Sequence, residues 1–247
     1  MMRQALICLS LLLYGMAAGA SEGGAGLMKA HVDLSDHKSL QRGARLFVNY
    51  CLSCHSAAYM RFNRLGADLG ISEDVLTANL MFGTDKPGDT MTVAMQRDDA
   101  ARYFGVAPPD LSVVARARGA DWLYSYFMSF YRDPSRPSGV NNLVFKDVAM
   151  PHVLWELQGW QRVVMEDVNE PDGSMVQRVN HLELETPGKE SPEEYARTVN
   201  DLVNFLVYLG EPAQLKRKAL GGWVLLYLAI LLVIVYFMKR EFWRDVH

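Results

Sequence analysis

From Ala219 to Met238 the chain reads ALGGWVLLYLAILLVIVYFM, twenty residues without a charged side chain. As a helix rising about 1.5 Å per residue, this run reaches about 30 Å, the thickness of a bilayer's hydrocarbon core. A buried helix of a soluble domain rarely needs so long an uninterrupted apolar run, so the segment is read as a single membrane anchor. Trp223 and Tyr227 near one end, and Tyr236, Phe237 and Trp243 near the other, suit the two bilayer interfaces. Flanking charge does not orient the span, because Lys216, Arg217 and Lys218 precede it while Lys239, Arg240 and Arg244 follow.

The opposite end supplies the orientation. Arg3, the apolar run from Ala5 to Met16, and Ala18-Gly19-Ala20 have the layout of a secretory signal with a small-residue cleavage site. The expected organisation is a cleaved signal peptide at 1–20, an exported domain at 21–215, the span at 219–238 and an inside tail at 239–247. That describes a single-pass protein of a bacterial inner membrane, its globular part periplasmic and its C-terminus cytoplasmic. About 195 residues between signal and span suit one domain, and a 50% hydrophobic composition leaves ample material for a core. The net charge of −3 is too small to argue from, and no nucleic-acid partner is expected.

Of three cysteines, Cys8 lies in the signal, within the apolar run where a lipid-attachment cysteine would not sit. The remaining two form Cys51-Leu-Ser-Cys54-His55. Zinc would need a second ligand pair, and there is no second cysteine pair. A thioredoxin-like dithiol would sit where a strand meets a helix. Here the preceding residues look helical instead: Leu40, Ala44, Phe47, Val48 and Cys51 recur at spacings of three and four, with Gln41, Arg42, Arg45 and Asn49 off that face. In the haem reading every residue has a task, since two thiols add to two vinyl groups and the adjacent imidazole becomes the proximal iron ligand.

The rest of the exported part reads as helices separated by long loops, with few alternating strand patterns. Gly66 to Ile71 closes the stretch after the motif, and Gly83-Thr-Asp-Lys-Pro-Gly88 is a turn cluster. Pro108-Pro109-Asp110-Leu111-Ser112 precedes a helix, and Arg132 to Val153 reads as irregular. Ser191-Pro192-Glu193-Glu194 is a helix start with a capping box, ending at Gly210 before Pro212. For a sixth iron ligand, Met150 stands directly before Pro151 in an irregular segment, where loop backbone can present a sulfur. Met91, Met95, Met128 and His152 are the competitors on sequence logic.

The signal peptide, "CLSCHS", "APPDLS", a downstream R-x-R-G, "GVNNLVF" followed by "AMPHVLWELQG", the "GEP" helix end and the C-terminal span together resemble the cytochrome c1 family of the respiratory cytochrome bc1 complex. The resemblance covers essentially the whole mature chain. It implies a mainly α c-type cytochrome domain with long loops plus one C-terminal transmembrane helix. It also implies one covalently bound haem c, attached through Cys51 and Cys54, with His55 proximal and Met150 distal. Arg118, seven residues beyond Leu111, is the implied propionate partner in preference to Arg116, and Pro109 joins the haem-contacting residues. The stretch from Arg162 to Pro187 departs from the family pattern.

The implied activity is outer-sphere electron transfer within quinol–cytochrome c oxidoreductase, with no independent substrate-converting site in this chain. The implied partners are cytochrome b, a Rieske iron-sulfur protein as donor, a soluble cytochrome c or equivalent carrier as acceptor, and the lipid bilayer. Two other readings stay open: a haem subunit of a terminal oxidase or reductase, and a haem sensor or peroxidase with an open sixth position. Between Glu156 and Glu211 twelve acidic residues face four basic ones. Glu166, Asp167, Glu170 and Asp172 are therefore candidates for steering a basic carrier.

Overall fold

The computed structural model describes residues 26–169 and 174–245; the expected signal peptide at 1–20 lies outside them. In chain order the elements are helix α1 (His37–Leu46), a π-helical turn (Phe47–Cys51), strand β1 (Ala57–Arg61), helices α2 (Phe62–Leu69) and α3 (Glu73–Leu80), and strand β2 (Thr90–Met91). Helices α4 (Arg97–Phe104), α5 (Val114–Arg118) and α6 (Ala120–Met128) follow, then strands β3 (Phe130–Arg132) and β4 (Val140–Asn142). The short helix α7 (Trp155–Gln158), strands β5 (Gly159–Asn169) and β6 (Met175–Pro187), and helices α8 (Pro192–Gly210) and α9 (Gln214–Phe242) complete the chain. The strands pair antiparallel as β1–β2, β3–β4 and β5–β6.

The core is built where α1 crosses α8. Leu40, Ala44, Phe47, Val48 and Cys51 are all buried, as their spacing predicts, while Arg42, Arg45 and Asn49 are exposed. Gly43 is the point of closest approach. A Cβ there would lie 2.2 Å from the Asp201 carbonyl oxygen and 2.6 Å from Phe205 Cβ, so only a residue without a side chain lets the two helices meet. Beside it, Arg42 makes a forked pair with Asp201 through Nε at 2.5 Å and Nη2 at 2.9 Å. Phe47 and Phe205 pack with ring centres 5.6 Å apart. Each large side chain buried on this seam contributes about 1.5–3 kcal/mol.

Helix α8 starts as its sequence prescribes. Ser191 Oγ accepts from the Glu194 backbone N–H at 3.3 Å, Glu194 Oε2 accepts from the Ser191 N–H at 2.9 Å, and Pro192 occupies the first turn. Two of its amides, Asn200 and Asn204, also fasten the chain's extended leading segment. Asn200 exchanges hydrogen bonds with the His31 N–H and C=O at 2.7 and 2.8 Å, and Asn204 with those of Asp33 at 3.1 and 2.8 Å. On another side, the buried Tyr195 hydroxyl donates to the Phe127 carbonyl at 2.9 Å, tying α8 to α6.

Two expectations need correction. The segment 132–153 is largely irregular but contains β4, and its paired asparagines are internal scaffolding. Asn142 Nδ2 donates to the Tyr126 carbonyl at 2.7 Å, while its Oδ1 accepts from the Val144 and Phe145 N–H groups at 2.9 and 3.0 Å. Asn141 Oδ1 accepts from the Asp147 N–H at 2.8 Å. The stretch from Arg162 to Pro187 is mostly two long paired strands rather than part of the loops between helices: β5 and β6 pair from Gly159↔Pro187 to Asn169↔Met175, with register shifts between Trp160 and Gln161 and between Val164 and Met165. Much of this arm is solvent-exposed on both faces, so no buried face imposes an alternating pattern on its sequence. Its base is fixed by Gln161 Nε2, which donates to the Met128 and Phe130 carbonyls at 3.0 and 2.8 Å.

Helix α9 is long and apolar enough to cross a membrane, and none of its residues is buried against the rest of the chain. It extends beyond the apolar run at both ends. Near its start, Arg217 pairs with Glu211, whose other oxygen lies 3.7 Å from Arg116.

Candidate haem site

The motif grows directly out of α1. The helix widens into the π-helical turn, closed by the Leu52 N–H on the Phe47 carbonyl at 2.9 Å. The Cys54 and His55 N–H groups both donate to the Cys51 carbonyl, at 3.0 and 2.8 Å. Single π turns inside helices are frequent at functional sites. Here the wider turn keeps Cys51 buried, while Cys54 is partly exposed and both thiols are free. Burial, with a smaller contribution from Cys54, pushes the Cys51 thiol up to about 12. Among the described residues, no group of three or more His, Cys, Asp and Glu side chains could hold a metal ion.

The Pro-Pro-Asp-Leu-Ser segment is stitched along the residues that follow the motif. His55 Nδ1 lies 2.7 Å from the Pro109 carbonyl oxygen. The Leu111 N–H donates to the Ser56 carbonyl at 2.8 Å, the Ala58 N–H to Asp110 Oδ2 at 2.9 Å, and the Tyr59 N–H to Ser112 Oγ at 3.1 Å. Asp110 Oδ1 also accepts from the Ser112 N–H at 2.8 Å, which fixes its own loop. Burial lowers the His55 pKa, opposed by the hydrogen bond to Pro109 and the nearby Asp110. A neutral imidazole whose Nδ1–H donates to a carbonyl has its lone pair on Nε2, the arrangement that iron ligation requires.

Met150 is partly buried against the core, and its Sδ accepts from the Tyr126 hydroxyl at 3.4 Å. Tyr126 stacks on Trp122, one turn earlier in α6, with centroids 5.1 Å apart and planes 9° from parallel. The Arg118 guanidinium sits 5.0 Å from the Trp122 ring centre and 5.9 Å from that of Phe145. Arg118 and Met150 are thus joined through one aromatic stack.

Arg116 points elsewhere. It reaches Glu211, and its stem lies close to Gly210. Among the competing ligands, Met91 is fully buried in the core. His152 is buried and stacked on Phe130 at 4.9 Å, with burial pushing its pKa down to about 4. A cavity of about 660 Å³ shares Leu52 and Ser53 with the motif and continues to Thr92 and Met95, but Cys54, His55 and Met150 do not line it.

These residues fit haem c: two unpaired thiols, an imidazole with Nε2 available, a thioether held by one hydrogen bond, and a guanidinium without a carboxylate partner among the described residues. Sequence reasoning missed Trp122, Tyr126 and the clamp made by Asp110. The spacing of four from Arg118 to Trp122 to Tyr126 is a signal that could have found the stack.

The sequence pattern of the Cytochrome C1 family matches residues 28–246. The chain belongs to the cytochrome c1 family. It is 51% identical over 246 residues to cytochrome c1 of Allochromatium vinosum, covering 100% of both chains. It is also 51% identical over 242 residues to a protein of Nitrosomonas europaea named ammonia monooxygenase gamma subunit, covering 98% of this chain and 97% of that one. With cytochrome c1 of Rhodospirillum rubrum it shares 29% over 272 residues, 99% of this chain and 97% of the relative. Proteins of the cytochrome c1 family bind haem c and serve electron transfer as a subunit of the bc1 complex, an oxidoreductase. Family membership therefore carries a cytochrome b partner, and α9 fits a membrane-anchored protein.

Of the acidic candidates, Glu166 and Asp167 are exposed neighbours on β5. Glu170 and Asp172 lie outside the described residues. Other carboxylates of that stretch are already paired, Glu183 with Arg162 at 2.6 Å, Glu185 with Arg132 at 3.3 Å and Glu156 with Lys189 at 2.8 Å.

Proposed function

We propose that the chain is a periplasm-facing, membrane-anchored cytochrome that accepts single electrons from a Rieske iron-sulfur protein and delivers them to a soluble cytochrome c or equivalent carrier. In this reading Cys51 and Cys54 hold one haem c covalently. Each thiol would supply its sulfur and its hydrogen to one vinyl group, with no net oxidation. His55 is the proximal ligand through Nε2 and Met150 the distal ligand, while Arg118 meets a propionate. The Pro109 carbonyl fixes the imidazole tautomer. When bound, the haem supplies a one-electron ferric–ferrous couple.

The observation that carries the reading is the commitment of His55 Nδ1 to the Pro109 carbonyl, which leaves the other ring nitrogen for a metal. Met150→Leu tests it. Loss of the sulfur should abolish the sulfur-to-iron absorption and lower the reduction potential, because a thioether raises that potential. An intact band would reject Met150 as the ligand. Purification together with a cytochrome b and a Rieske protein tests the proposed complex, and isolation with an oxidase or oxygenase instead would overturn it. A sensor or peroxidase with an open sixth position would bind carbon monoxide readily when reduced.

A further inference from the structure

Tyr126 does more at the site than fill space. Its hydroxyl lies 3.4 Å from Met150 Sδ, within reach of a hydrogen bond to sulfur. The ring is held on several sides: Trp122 stacks on it, Phe127 and Phe130 meet it edge-on at 5.4 and 5.0 Å, and Asn142 Nδ2 donates to its backbone carbonyl at 2.7 Å. An ordinary phenol keeps its proton at physiological pH, so the hydroxyl is available as a donor. A thioether has no proton to give, so the direction of the bond is fixed: Tyr126 donates and Met150 accepts.

A thioether sulfur has two lone pairs. A hydrogen bond to one leaves the other for a metal, and it orients that second pair by fixing the rotation of the Met150 side chain. The O–H donor also withdraws electron density from sulfur. A weaker sulfur donor stabilises ferric iron less than ferrous iron, so the bond favours the reduced state.

We infer that Tyr126 is a positioning residue for Met150: its hydroxyl aims the sulfur and raises the reduction potential above the value that methionine ligation alone gives. The inference rests on the reading of Met150 as the distal ligand. It adds the device by which that ligand is aimed and tuned, and it gives the rigid Arg118–Trp122–Tyr126 stack a task. A Tyr126 that acted only as core filler would leave Met150 free to rotate and its donor strength unmodified.

The test uses the full-length haem-loaded protein and Tyr126→Phe, which deletes one oxygen and keeps the ring in its stack. The sulfur-to-iron band should persist while the potential falls, by a shift in the reduction equilibrium of up to about fivefold, the ratio that one net hydrogen bond corresponds to. Added imidazole should also displace the sulfur faster. In a Met150→Lys background the same substitution should leave the potential unchanged, because an amine bonded to iron has no lone pair left to accept. A shift of equal size in both backgrounds would mean that Tyr126 acts by packing alone. No shift in the Met150 protein would mean that the hydroxyl has no effect on the ligand.

Should Tyr126→Phe fail to retain haem, a fluorinated tyrosine at 126 keeps the shape and strengthens the donor. The potential should then rise, and an unchanged value overturns the inference. Met150→Leu separates the two readings, since an intact sulfur-to-iron band in that variant removes the ligand assignment itself, whatever Tyr126 does.

Discussion

His55 Nδ1 and the Pro109 carbonyl oxygen stand 2.7 Å apart, although 54 residues separate them in the chain. The proline cannot place its carbonyl unaided. Its loop is held by the Ala58, Tyr59, Leu111 and Ser112 N–H groups, each of which donates across or within the clamp. Imidazole orientation is therefore a property of two segments held in register, and Asp110, which accepts two of those bonds, is the residue through which that register can be weakened.

Asp110→Ala removes the acceptor of the Ala58 and Ser112 N–H groups. The expected cost is about 1–2 kcal/mol, a fall of about 2–8 °C in melting temperature. Asp110→Asn keeps one oxygen and should lose less. Thermal unfolding of the two variants beside the parent checks this, and equal melting temperatures would show that the clamp contributes nothing to stability.

Gly43→Ala forces a Cβ against the Asp201 carbonyl and Phe205 Cβ, so α1 and α8 have to separate. Overpacking of this kind costs about 3 kcal/mol. Gly88→Ala, where a Cβ meets nothing within 4 Å, is the control and should melt close to the parent. Denaturant unfolding of both variants decides whether the close approach is as tight as the structure has it.

Asp121 fixes the leading segment, accepting from Lys29 Nζ at 2.6 Å and from the Ala30 N–H at 2.9 Å. The lysine first, and then the backbone N–H, hold its carboxyl below the ordinary value of 3.8. A carboxyl with a depressed folded-state pKa adds stability that is complete above the ordinary value and is lost as pH falls through the folded one. Hydrogen exchange at the Ala30 amide should therefore be slower in the parent than in Asp121→Asn at pH 6. The difference should vanish well below pH 3.8; a difference that survives there would contradict the assignment.

Because α9 buries nothing against the head, a chain ending at Ala213 should keep its fold and its haem. Among the described residues, Glu211 loses its Arg217 and Gln214 contacts and keeps Arg116. An exposed pair of this kind is worth about 1 kcal/mol or less, or about 2–4 °C. Near-ultraviolet circular dichroism and haem retention of the truncated protein are the measurements, and loss of both despite normal export would contradict the separation.

What could be read in advance was local or periodic. The capping box at Ser191 needs only four residues, and the buried face from Leu40 to Cys51 needs only helical spacing. The Cys-x-x-Cys-His motif, with the family resemblance that singled out Met150, gave the ligands proposed above before any contact was known. The β5–β6 arm stayed hidden because two largely exposed faces leave no hydrophobic alternation to detect. The roles of Asn141, Asn142 and Asp110 were illegible for another reason: their partners are set by tertiary placement, and an amide or carboxylate in a loop looks the same whether it faces water or caps a neighbour. Gly43 gave no warning either, since a helical glycine announces a close approach only once the opposing helix is known.

Three residues lie between the end of α8 at Gly210 and the start of α9 at Gln214. Within that short interval Glu211 is braced from both sides, by Arg217 of the anchor and Arg116 of the head. A tether of three residues keeps the head close to the end of the helix. In the proposed relay, a head joined to its membrane helix by so few residues leaves most of the travel to the partners.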